Sequence, residues 1–195
     1  DAEREPVRRH ALPFLETLVL PWKVDPADSG AAAALRVLAD GTSALASWPL
    51  PPTGLPDPVP DRYTQAPLVR VLLQIALAEH RVDDILFWYD RAQSQPPYGL
   101  HGAGFGASVA RAVEESHPDR AITIWEGLAA AAVARTNTES YREAASSLEQ
   151  SARIEERRGN LAAWRTRVLE LQARERRKWR LRQILDDLLR RLTPA

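Results

Sequence analysis

Cysteine is absent from the 195 residues. That excludes a disulfide, a thiolate nucleophile and a cysteine-ligated zinc site within the chain. It also fits the cytoplasm, where thiols stay reduced, and that is the expected compartment. Long apolar runs are missing as well: none approaches the roughly 20 residues that a bilayer-spanning helix needs, and nothing resembles a signal peptide. No membrane partner is expected. Lysine is scarce, with Lys23 and Lys178 alone among 26 basic residues. The arginines that make up the rest are spread along the entire chain, which marks a bias of composition and weakens any inference from an arginine by itself.

What is present is 45% hydrophobic residues, enough to bury a core in one large or two small units. Acidic and basic residues balance at 26 each, but unevenly along the chain. From Arg153 onward there are thirteen basic and six acidic residues, against thirteen and twenty before it. The two parts therefore carry opposite fields. The sequence opens on Asp1 without Met and is expected to be a fragment of something longer.

The clearest boundary is PLPPTGLPDPVP, residues 49 to 60, with six prolines in twelve positions. Each proline removes a backbone donor and restricts the residue before it, so neither helix nor central strand survives there. The chain divides accordingly into N-terminal helices over 1–48, a proline-rich linker or strap over 49–62, and a helical domain over 63–195. Two short helices are expected before the strap, the second capped by Asp28 or Ser29 and weakened by Gly41. Their apolar Leu18, Val19, Leu20, Trp22 and Trp48 are expected to pack on the main domain.

Beyond the strap the helical periodicity is strong. APLVRVLLQIALAEH is apolar almost all round, with Arg70 and Gln74 sharing its polar side, the pattern of a helix sandwiched between neighbours. In HRVDDILFWYDRAQ, Asp83 and Asp84 suit the positive end of a helix, and Ile85, Trp88 or Tyr89, and Ala92 form a stripe. The stretch His80–Trp88 then recurs as His117–Trp125, with matching His, Ile and Trp positions. Farther on, Tyr141, Ala145, Leu148 and Ala152 share one helical face. After a turn at Gly159 and Asn160, Leu161, Trp164, Val168 and Leu171 share another. Small alanines facing large Trp and Leu, in antiparallel pairs about every 34 to 42 residues, are what a tetratricopeptide-like solenoid requires. The expected fold is all-α, built of helical-hairpin repeats and closed by a long basic helix over 160–192.

Residues from Asp119 to Leu188 resemble the helical C-terminal region of bacterial and archaeal SWIM zinc-finger family proteins. The resemblance rests on Ala121, Ile124 and Trp125, then on Tyr141, Ala144, Ala145, Leu148 and Arg153. It continues through Trp164, Leu171, Arg177, Lys178, Leu181, Leu185, Asp186 and Leu188. It implies a helical partner domain of a larger protein whose CxC…CxH finger, associated with DNA or protein binding, lies upstream of Asp1. No zinc ligand carries over, because the chain has no cysteine.

The stretch RERRKWRLRQ, Arg174 to Gln183, is the main functional candidate. Its basic residues point in nearly every direction around a helix, which a buried helix does not tolerate. The apolar stripe after it is displaced by about a quarter turn from the stripe before it, so the segment is exposed between two docked ends or bent. Arg174, Arg176, Arg177, Lys178, Trp179 and Arg180 could neutralise phosphates and stack on bases. Alternatively they could dock a protein, or form a solvated face paired internally as Glu170 with Arg174, Asp186 with Arg190 and Asp187 with Arg191. A second candidate is a groove between stacked helices, with Arg70 and Gln74 on its polar inner face.

Other motifs point away from chemistry. GLHGAGFGAS, residues 99 to 108, lacks phosphate-loop spacing and a lysine, and reads as a flexible inter-repeat connection. His80 and His117 read as turn and cap residues, and with His10 and His101 they offer no metal-ligand spacing. Ser108, Ser116 and Ser140 lie in no nucleophile-elbow context, and the six tryptophans fit core positions. No catalytic residue, cofactor, metal or small-molecule substrate is expected. The expected role is a protein-docking scaffold, with nucleic-acid binding by the basic helix as the alternative.

Overall fold

The computed structural model describes residues 68–94 and 103–192, together with Leu12 and Leu15. Apart from Leu12 and Leu15, the helices expected in 1–48, the proline strap, and His10 and His101 lie outside the described residues. Between residues 68 and 192 the described residues form seven helices in order: α1 Val69–Ala78, α2 Val82–Ser94, α3 Ala103–Val113, α4 Pro118–Ala134, α5 Thr138–Arg157, α6 Leu161–Arg174 and α7 Trp179–Leu192. The described residues contain no strand, so the chain is all-α over this span.

Local chemistry explains where the helices start and stop. Asp83 and Asp84 sit in the first turn of α2, and α4 opens with Pro118 at its first position and Asp119 after it. The Asn137 side chain accepts the Ser140 N–H at 2.8 Å and caps α5. Helix α5 ends on Gly159, whose φ of 73° suits glycine; the Gly159 N–H donates to the Glu156 carbonyl, and the Asn160 N–H to that of Glu155. His80 ends α1 in the same way at φ 56°, with its own N–H on Leu77 and the Arg81 N–H on Ala76. His117 occupies the matching place in sequence but precedes α4 with extended φ, so the two histidines serve opposite ends of helices.

Two cores share α4. The first gathers Leu72, Leu73, Ile85, Trp88, Tyr89, Val109 and Val113 around Ala121, Ile122, Ile124 and Trp125 of the N-terminal half of α4. The second gathers Tyr141, Leu148, Trp164, Val168, Leu181, Leu185 and Leu188 around Ala129, Ala132 and Val133 of its C-terminal half. Helices α4 and α5 make the broadest packing and run antiparallel: Arg158 at the end of α5 meets Asp119 at the start of α4 at 2.6 Å, and Arg135 meets Glu143 at the opposite end. Gly106 lets α3 approach α4 closely, since a Cβ there would lie 2.9 Å from Leu128 Cδ2.

Three expectations are corrected. Residues 103 to 108 are not a flexible connection; they form the first turns of α3, which packs between α2 and α4. Helix α1 is not sandwiched: Leu72, Leu73 and Ala76 are buried, while Arg70, Val71 and Gln74 are exposed. The closing helix is not continuous. It ends at Arg174, and α7 starts at Trp179 after a turn over 175–178. Two stripes displaced around one straight helix cannot both face the same core. With the break, Trp164 and Val168 of α6 and Leu181, Leu185 and Leu188 of α7 all enter the second core.

Candidate functional site

The turn between α6 and α7 is held in place by four polar ties. Gln172, buried near the end of α6, donates through Nε2 to the Arg182 carbonyl at 3.3 Å and to Asp186 Oδ1 at 2.8 Å. Lys178 Nζ donates to the Val133 carbonyl in the last turn of α4 at 3.1 Å and pairs with Glu175 Oε2 at 2.9 Å. A cation against the carbonyl end of a helix meets the negative end of its dipole, and the ammonium adds to the Thr136 N–H that the Val133 carbonyl accepts at 3.4 Å. The next residues of that connection are strained, for Thr136 has a φ of 55°. A β-branched residue in the left-handed region costs about 1–3 kcal/mol.

Around this frame the arginines face outward. Arg176, Arg177, Arg180 and Arg182 are exposed, and none of them has a carboxylate partner among the described residues. Arg174 lies 3.7 Å from Glu175, a loose pair. Trp179, the first residue of α7, leaves 65% of its surface exposed, more than any other large apolar side chain described. The Arg180 guanidinium lies 4.4 Å from its ring centroid and covers one face of the indole.

Down the outer side of α7, Trp179, Arg182, Gln183, Asp186 and Arg190 line an open groove of about 210 Å³. Their spacing of three or four residues places them on one helical face. The opposite face carries the buried Leu181, Leu185, Leu188 and Leu189.

The structure thus divides the sequence candidates. Arg174, Arg176, Arg177, Trp179 and Arg180 come together at one exposed corner, whereas Lys178 turns inward and acts as a structural cap. The ion pairs also differ from the expected i, i+4 set: Asp187 pairs with Arg190, Arg191 reaches Glu149 of α5 at 3.6 Å, and Asp186 takes the Gln172 amide. Arg70 and Gln74 lie elsewhere, on α1, which packs on α2 and α3. The Arg70 guanidinium sits 5.3 Å from the Phe105 ring centroid. Asp186 and Arg190 were read from the sequence only as a solvated ion pair, and Arg182 and Gln183 were not singled out. Their signal was the spacing from Trp179 along the polar side of an amphipathic helix.

One further polar cluster lies beside the second core. Arg167 on α6 donates through Nε to Glu126 Oε1 of α4 at 2.8 Å and through Nη2 to Glu155 Oε1 of α5 at 2.7 Å. Glu155 is 7% exposed, and its Oε2 is buried without a protein partner. Burial works against the Arg167 charge, but the bond to Glu155 and the charge and bond of Glu126 outweigh it and raise its pKa. This triad joins three helices and opens onto no groove described above, so its role is structural. Among the described residues no group of three or more His, Asp or Glu side chains is placed to hold a metal, and no helix is long and apolar enough to cross a membrane. No family model matches the chain, and neither a curated protein nor a solved structure matches it.

Proposed function

We propose that this chain is a non-catalytic, tetratricopeptide-like helical-repeat module that docks another protein through the α6–α7 corner and the outer face of α7. One observation carries the reading: among the described residues the most exposed large apolar side chain, Trp179, stands beside arginines without carboxylate partners, on a frame tied down by Gln172 and Lys178. Tryptophan and arginine are the residues that most often dominate protein interfaces, and a fixed frame lowers the ordering cost of binding. The repeat reading is supported by contacts between alternate helices, α1 with α3 and α5 with α7, as stacked hairpins make. In such a stack α7 serves as the cap, apolar inside and charged outside.

The likeness to the SWIM zinc-finger family's helical region is part of this proposal. It is supported by the burial of Ala121, Trp125, Tyr141, Leu148, Trp164, Leu181, Leu185 and Leu188, the places that a shared scaffold would keep apolar. The nucleic-acid reading rests on the same arginines and on base stacking by Trp179. Two features weigh against it: Lys178 is engaged inside the fold, and Asp186 and Asp187 interrupt the positive face of α7.

The test places a photo-crosslinking amino acid at Gln183, with Glu139 on α5 as a control position. Adducts that form at 183 only, resist nuclease and disappear with Trp179→Ala are expected. Nuclease-sensitive adducts, or retardation of DNA or RNA by the full chain at about 50 mM salt, would replace protein docking with nucleic-acid binding.

A further inference from the structure

Resting on the docking proposal above, we infer that the groove along α7 takes an acidic peptide segment of its partner, with one apolar residue of that segment seated on the open face of Trp179. The charge balance of the corner sets the sign of the partner. Elsewhere on the described surface most arginines already have a carboxylate, among them Arg120 with Asp90, Arg153 with Glu149, and Arg157 with Glu114. At the corner Arg176, Arg177, Arg180 and Arg182 do not, so an incoming carboxylate meets guanidinium groups that no internal ion pair must first release. Arginine offers a planar fork that fits a carboxylate with two parallel hydrogen bonds.

The groove itself distinguishes a peptide from a phosphate chain. A strand of phosphates laid along the groove from Trp179 to Arg190 would pass over the carboxylate of Asp186. A peptide brings both signs of partner: its side-chain carboxylates face Arg182, and its backbone N–H groups can donate to the Asp186 carboxylate or to Gln183 Oε1, which also accepts from Arg180 Nη1 at 3.4 Å. One Asp186 oxygen is already held by Gln172, which fixes the direction in which the remaining acceptor sites point. Arg180 lies over the ring at 4.4 Å, and the indole is still 65% exposed, which leaves area for an apolar side chain. The floor of the groove is helix α7, whose inner leucines are buried, so the site does not have to fold before it binds.

Fluorescence anisotropy on the full chain tests this. The probe is a short labelled peptide of glutamates around one central phenylalanine. The controls are the same peptide with glutamine for glutamate and a labelled single-stranded DNA of similar length. Binding of the acidic peptide is expected to exceed that of the glutamine control and to weaken about tenfold in either Trp179→Ala or Arg182→Glu. Both positions are exposed, and unchanged far-ultraviolet circular dichroism verifies that the variants fold. Equal binding of the two peptides, tighter binding of the DNA at matched salt, or no effect of either variant overturns the inference. These outcomes are separate from the crosslinking result. Protein adducts at Gln183 together with equal binding of the two peptides would leave docking intact and remove only the acidic partner.

Discussion

The cores on either side of α4 are both apolar, both contain tryptophan, and both are well sealed, but they treat polar groups differently. In the first, Trp125 Nε1 is buried without a partner, and the Arg120–Asp90 pair that joins α4 to α2 is exposed. In the second, Trp164 Nε1 donates to the Leu148 carbonyl and to Ser151 Oγ, each at 3.1 Å. The Arg167 triad, the Gln172 bridge and the Lys178 cap all belong to that side. Apolar contact is nondirectional and tolerates sliding, whereas each of these bonds admits one arrangement of its helices. The exposed corner of α6 and α7 is therefore built on the half of the molecule whose geometry is the more narrowly specified.

The most severe way to break this comparison is at the tryptophans. Trp164→Ala is expected to cost about 3–5 kcal/mol by urea denaturation. The sharper measurement sets Trp164→Phe against Trp125→Phe. Both remove similar volume, but only the first takes a donor from Leu148 and Ser151, so it should be the more destabilising by about 1–2 kcal/mol. Equal losses would mean that the two cores are specified alike.

Next in size is Arg167→Ala, which leaves Glu155 buried and uncompensated. A fully buried pair broken in this way loses about 3–5 kcal/mol. Because Arg167 is 37% exposed and partly screened, about 2 kcal/mol is expected, and a second change, Glu155→Gln, should recover much of it. The raised pKa of Arg167 stabilises the fold at neutral pH, and on the alkaline side this contribution is lost only as pH rises beyond the ordinary arginine range. It should therefore be flat from neutral to moderately alkaline pH.

The smallest effect separates the cores by pH. Burial raises the Tyr89 pKa and the Asp90 charge adds to it, while a hydrogen bond from Gln93 and the charge of Arg120 oppose the rise. A phenol whose pKa is raised on folding contributes stability below its unfolded value of about 10 and loses it as pH climbs through the folded value. Stability should fall modestly above that pH, and Tyr89→Phe should remove this part of the slope. An unchanged slope in the variant would exclude Tyr89 as its source.

Much of this architecture was legible in the sequence. Trp88 and Trp125, which share a His-to-Trp register, are both buried in the first core, and the stripes through Tyr141 and Trp164 are buried as their spacing implies. Helix α3 was hidden because Gly104 and Gly106 lower helix propensity, while close packing against Leu128 overrides that preference. The displaced stripes signalled a bend near 175, but no proline or glycine marks a chain that folds back there. The exposed arginines were readable as a surface, whereas Trp179, one of six tryptophans expected at core positions, is 65% exposed. Lys178 was not separable from them, because its target, the Val133 carbonyl, is 45 residues away in sequence.

That ammonium group has a consequence for covalent chemistry. In a chain with only two lysines, the Lys178 amine is held between a carbonyl and a carboxylate, with 24% of the side chain open to solvent. Acylating it would erase the charge and withdraw the donor from the end of α4, releasing the brace on a connection that already contains the left-handed Thr136. An amine-directed reagent should therefore react slowly at this position in the folded chain, and its product should carry a loosened α6–α7 corner.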